Sequence, residues 1–391
     1  ASAGGHRLHI KNGCDREPIW IAHIAAGGEG PDQQNVKIEP GGVHEFATPD
    51  GLSATRYWPK MGCIADGGFC ALGGSGGPGQ ACVRRPPEVE SDDYSHCAPP
   101  VDTKFEGTFG SPDKPCTDAA TQGCDFVDMS LVDGWTLPFE LKVHGNCNGA
   151  KGKEKDLVVD CRRLTLDHCP HEEHLATVGM VADLRAIHPD NFKVAGCYSP
   201  CQRLVNNKWD QEGMDPADKN AAPYCCPTPP ESPKACRSGP VVNSSYVKAV
   251  HGLCPGVYGY AYDDGMGLLR CEPTSKYELT FFCPDETTEF GRRDLLGPSG
   301  GKKAMRDRSA STTSMKTASL GRFIGEGLSS QSGWASGAVF FVLAAVAAYG
   351  LSAARHMRSG AAVRLLLPLT TPAATEYLRA PQPLDARTAS A

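Results

Sequence analysis

The chain is marked first by what it does not contain. No Ser-His-Asp arrangement, phosphate-binding glycine loop or HExxH stretch appears in its 391 residues, so the familiar signatures of acyl transfer, nucleotide chemistry and zinc proteolysis are absent. No CxxC…CxxC or CxxC…HxxxH pair accompanies its 18 cysteines; Cys197 and Cys201 are the one short pair at metal-like spacing. None of those cysteines falls in the last hundred residues. Basic charge is scarce where the cysteines are: residues 1–285 hold 26 Lys and Arg against 38 Asp and Glu, which argues against nucleic acid as a partner of that part. The N-terminus, ASAGGHRLHI, has neither Met nor an apolar signal core, and reads as a mature end whose leader has been removed. No cofactor and no bound metal are expected.

What is present points to an oxidising compartment. An even number of cysteines at this density implies disulfides, and 44 Gly with 31 Pro suit loop-rich β architecture better than helical bundles. Residues 286–333 turn to Ser, Gly, Lys and Arg, a composition that cannot bury a core and reads as a basic, disordered stalk. Trp334 to Ala354 then run 21 residues without a charge, about 31 Å as a helix and close to a bilayer's hydrocarbon thickness. Arg355, Arg358 and Arg364 follow at once, which places the tail, residues 355–391, in the cytoplasm and the cysteine-rich part outside. The organisation expected is a 1–285 ectodomain, a 286–333 stalk, a 334–354 transmembrane helix and a tail whose partner is unknown. Cleavage in the stalk would make the ectodomain a secreted protein.

Within residues 1–285 the stretches HRLHIKN, PIWIAHIAA, NVKIEPGGVHEFA, FVDMSLV, TLPFELKV, VYGYAYDD and YELTFFCP read as strands of a β-sandwich. One helical patch is expected, HEEHLATVGMVADLRAI, on the spacing of Leu175, Val178, Val181, Ala182 and Ile187. Residues 125–136, DFVDMSLVDGWT, pose a question of their own. Asp128 and Asp133 interrupt an apolar strand, where carboxylates are costly unless paired. They are five apart, so strict alternation puts them on opposite faces unless the chain bends near Val132–Gly134. A capped Asp-Gly turn and a salt bridge would also account for them.

These segments resemble the thaumatin-like family, the pathogenesis-related antifungal proteins. The likeness runs over roughly residues 6–285, through HIKNGCDREPIWIA, TRYWPKMGC, TKFEGTF, DFVDMSLVDGWTLPFEL, CPGVYGYAYDD and YELTFFCP in the family's order. It implies a β-sandwich with a disulfide-rich, partly helical excursion. It also implies eight bridges: Cys14–Cys283, Cys63–Cys70, Cys82–Cys97, Cys147–Cys271, Cys161–Cys254, Cys169–Cys197, Cys201–Cys225 and Cys226–Cys236. Cys116 and Cys124 are left over and are expected to pair with each other. The bridge closing nearly the whole domain, Cys14 to Cys283, would contribute on the order of 5 kcal/mol in the chain-entropy model.

The resemblance further implies an acidic cleft lined by Arg56, Glu106, Asp128, Asp133 and Asp263. Carboxylates accept hydrogen bonds from sugar hydroxyls, and Tyr57, Trp58 or Trp135 would stack on sugar rings. The expected function is polysaccharide binding, β-1,3-glucan or similar, at the cell surface, in defence or at a cell wall. A weak endo-β-1,3-glucanase with Glu106 as acid and Asp128 as second carboxylate is the alternative. A surface receptor or adhesion module with an incidental cleft is the third reading.

The chain also departs from the family. ALGGSGGPGQAC replaces a shorter stretch before Cys82, Gly107 follows Glu106 where an aromatic is usual, and the Cys169–Cys197 region is lengthened. Elsewhere, Asn243 in NSS is an N-glycosylation sequon. His168, His171 and His174 in HCPHEEH are conceivable zinc ligands, but a solvated His/Glu surface is the preferred reading.

Overall fold

Alternating burial marks the strands at once. In Phe139–His144 every other residue is buried, and in Lys276–Phe281 the buried set is Tyr277, Leu279 and Phe281. The computed structural model describes residues 5–26, 28–80, 82, 97–209 and 211–284. The stalk, the apolar segment Trp334–Ala354 and the tail expected from the sequence lie outside the described residues. Among the described residues, no helix is long and apolar enough to cross a membrane.

Two sheets carry the core. One has five strands in the spatial order Val158–Asp160, Phe139–His144, Lys276–Phe281, Gly5–Asn12 and Val43–Thr48. The other has eight: Gly152–Lys155, Asn146–Gly149, Leu269–Cys271, Asp125–Ser130, Lys104–Thr108, Thr55–Lys60, Ile19–Ile24 and Val36–Ile38. Rings from the two sheets meet in the middle. Phe46 packs edge-on against Tyr57 at 5.0 Å between centres, and Phe105 lies 5.9 Å from Tyr277. Strands Gly5–Asn12 and Lys276–Phe281 run parallel with Ile10 beside Leu279, and the Cys14–Cys283 bridge ties the same two ends together.

A second region is built from shorter pieces. Residues 161–254 contain the hairpin Glu173–Leu175 with Met180–Ala182. A three-stranded sheet there joins Arg185–Ile187, Val194–Tyr198 and Gly134–Trp135. Helices follow at Pro200–Val205, Ala222–Cys225, Pro233–Cys236 and Ser245–Leu253. The hydroxyls of Ser199, Ser232 and Ser244 accept the N–H groups of Gln202, Ala235 and Val247, and Pro opens two of these helices. All 18 cysteines are in disulfides, each joining the two residues set out above, Cys116–Cys124 included. Adjacent Cys225 and Cys226 reach different partners because Cys225 ends a helix while Cys226 sits in the left-handed region at φ 58°.

Two expectations are corrected. The helix expected over HEEHLATVGMVADLRAI is instead a hairpin and a further strand. Its true period is two: Leu175 and Ala182 are buried while Val181 and Ile187 are exposed. Gly179 at φ +64° turns the chain, and the Ala176 N–H donates to the Tyr224 hydroxyl at 2.9 Å. VYGYAYDD is not a strand of either sheet. It is a bent segment that touches the eight-stranded sheet through a single bridge, Tyr258 to Ser130.

Candidate functional site

The site grows from register. Arg56 lies directly opposite Glu106, and Glu106 directly opposite Asp128, on three neighbouring antiparallel strands. Cross-strand partners of this kind have Cβ atoms about 5 Å apart, so the three heads form one row. The adjacent residues Tyr57, Phe105 and Met129 point the other way and are buried in the core. Alternation alone therefore delivers the row to the outer face. Arg56 Nε contacts Glu106 Oε1 at 2.6 Å, with both side chains partly exposed. Asp128 makes no ion pair among the described residues, and its Oδ1 is buried without a hydrogen-bond partner. Burial, and then the neighbouring Glu106 carboxylate, push the Asp128 carboxyl well above its ordinary range, with Arg56 opposing and Asp264 adding to the rise.

The acids of DFVDMSLVDGWT meet different fates. Asp125, inside the core, accepts two bonds from Arg7 Nη1 at 2.8 and 2.9 Å, one from the Tyr277 hydroxyl at 2.7 Å and one from the Gly110 N–H at 2.7 Å. Burial still raises its pKa against those partners. Asp128 takes the outer face. Beyond Leu131 the chain leaves the large sheet and enters the three-stranded one, which is the bend that places Asp133. Gly134 permits it: at φ +152° its position leaves only 2.1 Å between an added Cβ and the Cys197 carbonyl oxygen.

Asp133 is already engaged. Lys104 pairs with its Oδ2 and Gln202 Nε2 donates to its Oδ1 at 3.0 Å. Burial opposes ionisation there, but Lys104 and Gln202 hold the carboxyl below its usual value, with Arg56 close enough to assist. Asp263 is engaged elsewhere. Its Oδ2 meets His251 Nε2 at 2.7 Å and accepts the Gly259 N–H at 2.9 Å. The neighbouring Asp264 is the acid from that segment that acts on Asp128. It accepts from the Tyr258 hydroxyl at 2.9 Å and pairs with Arg237 Nη2 at 2.6 Å. Of the five residues carried over by resemblance, then, Arg56, Glu106 and Asp128 stand together, Asp133 borders them through Arg56, and Asp263 faces His251.

Asp264, Tyr258, Arg237, Lys104 and Gln202 were not foreseen. The doublet Asp263–Asp264 offered a signal, but which member faces the row depends on the short helix Asp264–Gly267 that begins between them. The expected stacking residues are corrected. Tyr57, Trp58 and Trp135 are 1%, 5% and 1% exposed, committed to packing and, for the indoles, to the carbonyls of Gly73 and Thr165. Tyr258 is a partly exposed aromatic beside the row. His168, His171 and His174 gather into no metal-binding cluster among the described residues. Asn243 is exposed at the end of a 3-10 turn.

Residues 115–284 match the Thaumatin family model. Pathogenesis-related protein 5 of Arabidopsis thaliana is 26% identical over 284 residues, 70% of this chain and 89% of that one. A Prunus avium protein named glucan endo-1,3-beta-glucosidase is 27% identical over 238 residues, covering 59% of this chain and 71% of its own. Among solved structures, a family 64 laminaripentaose-producing β-1,3-glucanase from Paenibacillus barengoltzii aligns with a TM-score of 0.39 and 12% identity, over 72% of this chain and 76% of that one. The family match over residues 115–284, the curated relatives and a mainly β body cross-linked by nine disulfides make the cysteine-rich part of this chain similar to the thaumatin family.

Proposed function

We propose that the outer face around Arg56, Glu106 and Asp128 binds a neutral polysaccharide of the β-1,3-glucan type. The observation that carries this reading is the cross-strand row itself, with Asp264 and Tyr258 brought beside it. Hydroxyl-rich chains need acceptors for their O–H groups and donors for their ether oxygens, and carboxyl and guanidinium groups in one partly exposed row offer both. The Prunus avium relative's name supports the choice of glucan. With the expected span at 334–354, the domain works tethered at a cell surface, in defence or at the cell's own covering.

A second reading has a specific observation behind it. Glu106 and Asp128 are neighbouring carboxyls in unlike settings, one paired with Arg56 and the other unpaired, and a glycosidase needs two such groups. One experiment separates the readings: full-length protein is mixed with insoluble β-1,3-glucan, and both co-sedimentation and released reducing sugar are measured. Sedimentation without sugar release, abolished in Glu106→Ala/Asp128→Ala, is the expected result. Sugar release lost in the double variant would establish hydrolysis instead. A folded protein that does neither would refute the glucan reading.

A further inference from the structure

The acids and bases around Asp128 do not balance. Three carboxyls converge there, Glu106 from the next strand, Asp264 from the 254–268 segment, and Asp128 itself. Two cations face them. Arg56 is in contact with Glu106 at 2.6 Å and Arg237 with Asp264 at 2.6 Å. Each cation is engaged with one carboxyl group, and Asp128 is left beside both pairs with a buried, unpartnered Oδ1. Arg56 attracts it from across Glu106, but burial and the two carboxylates outweigh that attraction.

The hydrogen-bonding inventory leads to the same residue. Ionised carboxylates only accept, whereas the ring and glycosidic oxygens of a glucan also only accept. A sugar therefore needs donors from the protein. Arg56 reaches Glu106 through Nε and Arg237 reaches Asp264 through Nη2, while the single proton of the Tyr258 hydroxyl goes to Asp264. Lys104 is turned onto Asp133. A neutral carboxyl at Asp128, whose Oδ1 has no partner, adds a donor to the row beside the remaining guanidinium N–H groups.

We propose that Asp128 keeps its proton in this cleft and presents it as the hydrogen-bond donor to an ether oxygen of the bound glucan, beside the carboxyl groups of Glu106 and Asp264. The proposal rests on the glucan-binding reading above, and it gives the proton to Asp128 rather than to Glu106. It makes ligand retention a function of pH. Once pH rises past the Asp128 midpoint, affinity falls about tenfold per unit, because one proton must be taken up for each glucan bound.

Two measurements on the full-length protein test it. The first follows aspartate side-chain carboxyl carbons by NMR through a pH titration, the Asp128 signal being the one that disappears in Asp128→Asn. The second follows retention on insoluble β-1,3-glucan over the same pH range for the wild type, Asp128→Asn and Glu106→Gln. We expect an Asp128 midpoint well above those of exposed aspartates and a wild-type retention that drops beyond it. The drop should vanish in Asp128→Asn, which cannot ionise, and persist in Glu106→Gln. A midpoint in the ordinary aspartate range, with glucan retained, would overturn the proton placement and leave the binding reading intact. A raised midpoint with no glucan held at any pH would overturn the donor role together with the glucan reading. An unchanged drop in Asp128→Asn would assign the pH dependence to another group and end the proposal.

Discussion

The two sheets and the disulfide-rich region solve the same problem differently. In the sheets, eight of the thirteen strands run five to eight residues and bury a continuous apolar face, and Phe46, Tyr57, Phe105 and Tyr277 pack ring to ring across the interface. In residues 161–254 most strands have three residues and the helices four to nine, too short to hold a face in place by packing alone. Four bridges lie in that stretch: Cys161–Cys254, Cys169–Cys197, Cys201–Cys225 and Cys226–Cys236. Where elements are long, solvent exclusion fixes the chain; where they are short, covalent links and capped ends do. The candidate site draws on both, since its row lies on the large sheet while Arg237, which holds Asp264, comes from residues 161–254.

The contrast can be broken most forcefully in the sheets. Phe105→Ala removes a fully buried ring at their interface, and we expect a loss of about 3 to 5 kcal/mol, with hydrogen exchange accelerated throughout both regions. Next comes Cys201→Ser/Cys225→Ser, expected to cost about 2 to 4 kcal/mol. Its exchange should quicken around residues 200–236 and hardly at all in the strands. Equal acceleration in strand Lys276–Phe281 would show that the two regions unfold as one and would end the comparison.

A third test turns on a buried carboxyl just before strand Lys104–Thr108. Asp102, 2% exposed, accepts from Ser75 Oγ at 2.6 Å, but its Oδ1 has no partner. Burial raises its pKa to about 6 despite Lys104 nearby. A carboxyl whose folded pKa lies above its unfolded value holds its proton better in the folded state. Stability therefore falls as pH rises from about 4 to about 6 and stays lower above that. Asp102→Asn should accordingly raise stability at pH 8 by about 2 to 3 kcal/mol and change little at pH 3, as read by denaturant titration at both pH values. A gain of equal size at pH 3 would mean packing rather than charge is responsible. The smallest effect is expected from Ser244→Ala, which removes the cap of helix Ser245–Leu253 at a cost of about 1 kcal/mol. That helix also receives the Glu173 carboxylate at the N–H groups of Ser245 and Tyr246, so losing one cap should loosen it without unfolding it.

Several features of this protein are written in the sequence alone. Period-two alternation in HRLHIKN and YELTFFCP is enough to mark strands, because each residue's face follows from its parity. The count of cysteines implies an oxidised, cross-linked body without any geometry, and the family likeness supplies their pairing. Residues 173–187 defeated the same logic: Leu175, Val178, Val181 and Ala182 fit a helix by spacing, and only the Gly179 turn and the Tyr224 contact select a hairpin. Aromatic side chains were equally illegible, since nothing local tells an interior Trp58 from an exposed one. The charges depended most on tertiary structure. Asp125, Asp128 and Asp133 are the same residue type within nine positions, yet one is clasped by Arg7, one stands unpaired beside Glu106 and one is held by Lys104. Their chemistry is set by partners that lie 118, 22 and 29 residues away along the chain, and only the fold brings those partners within reach.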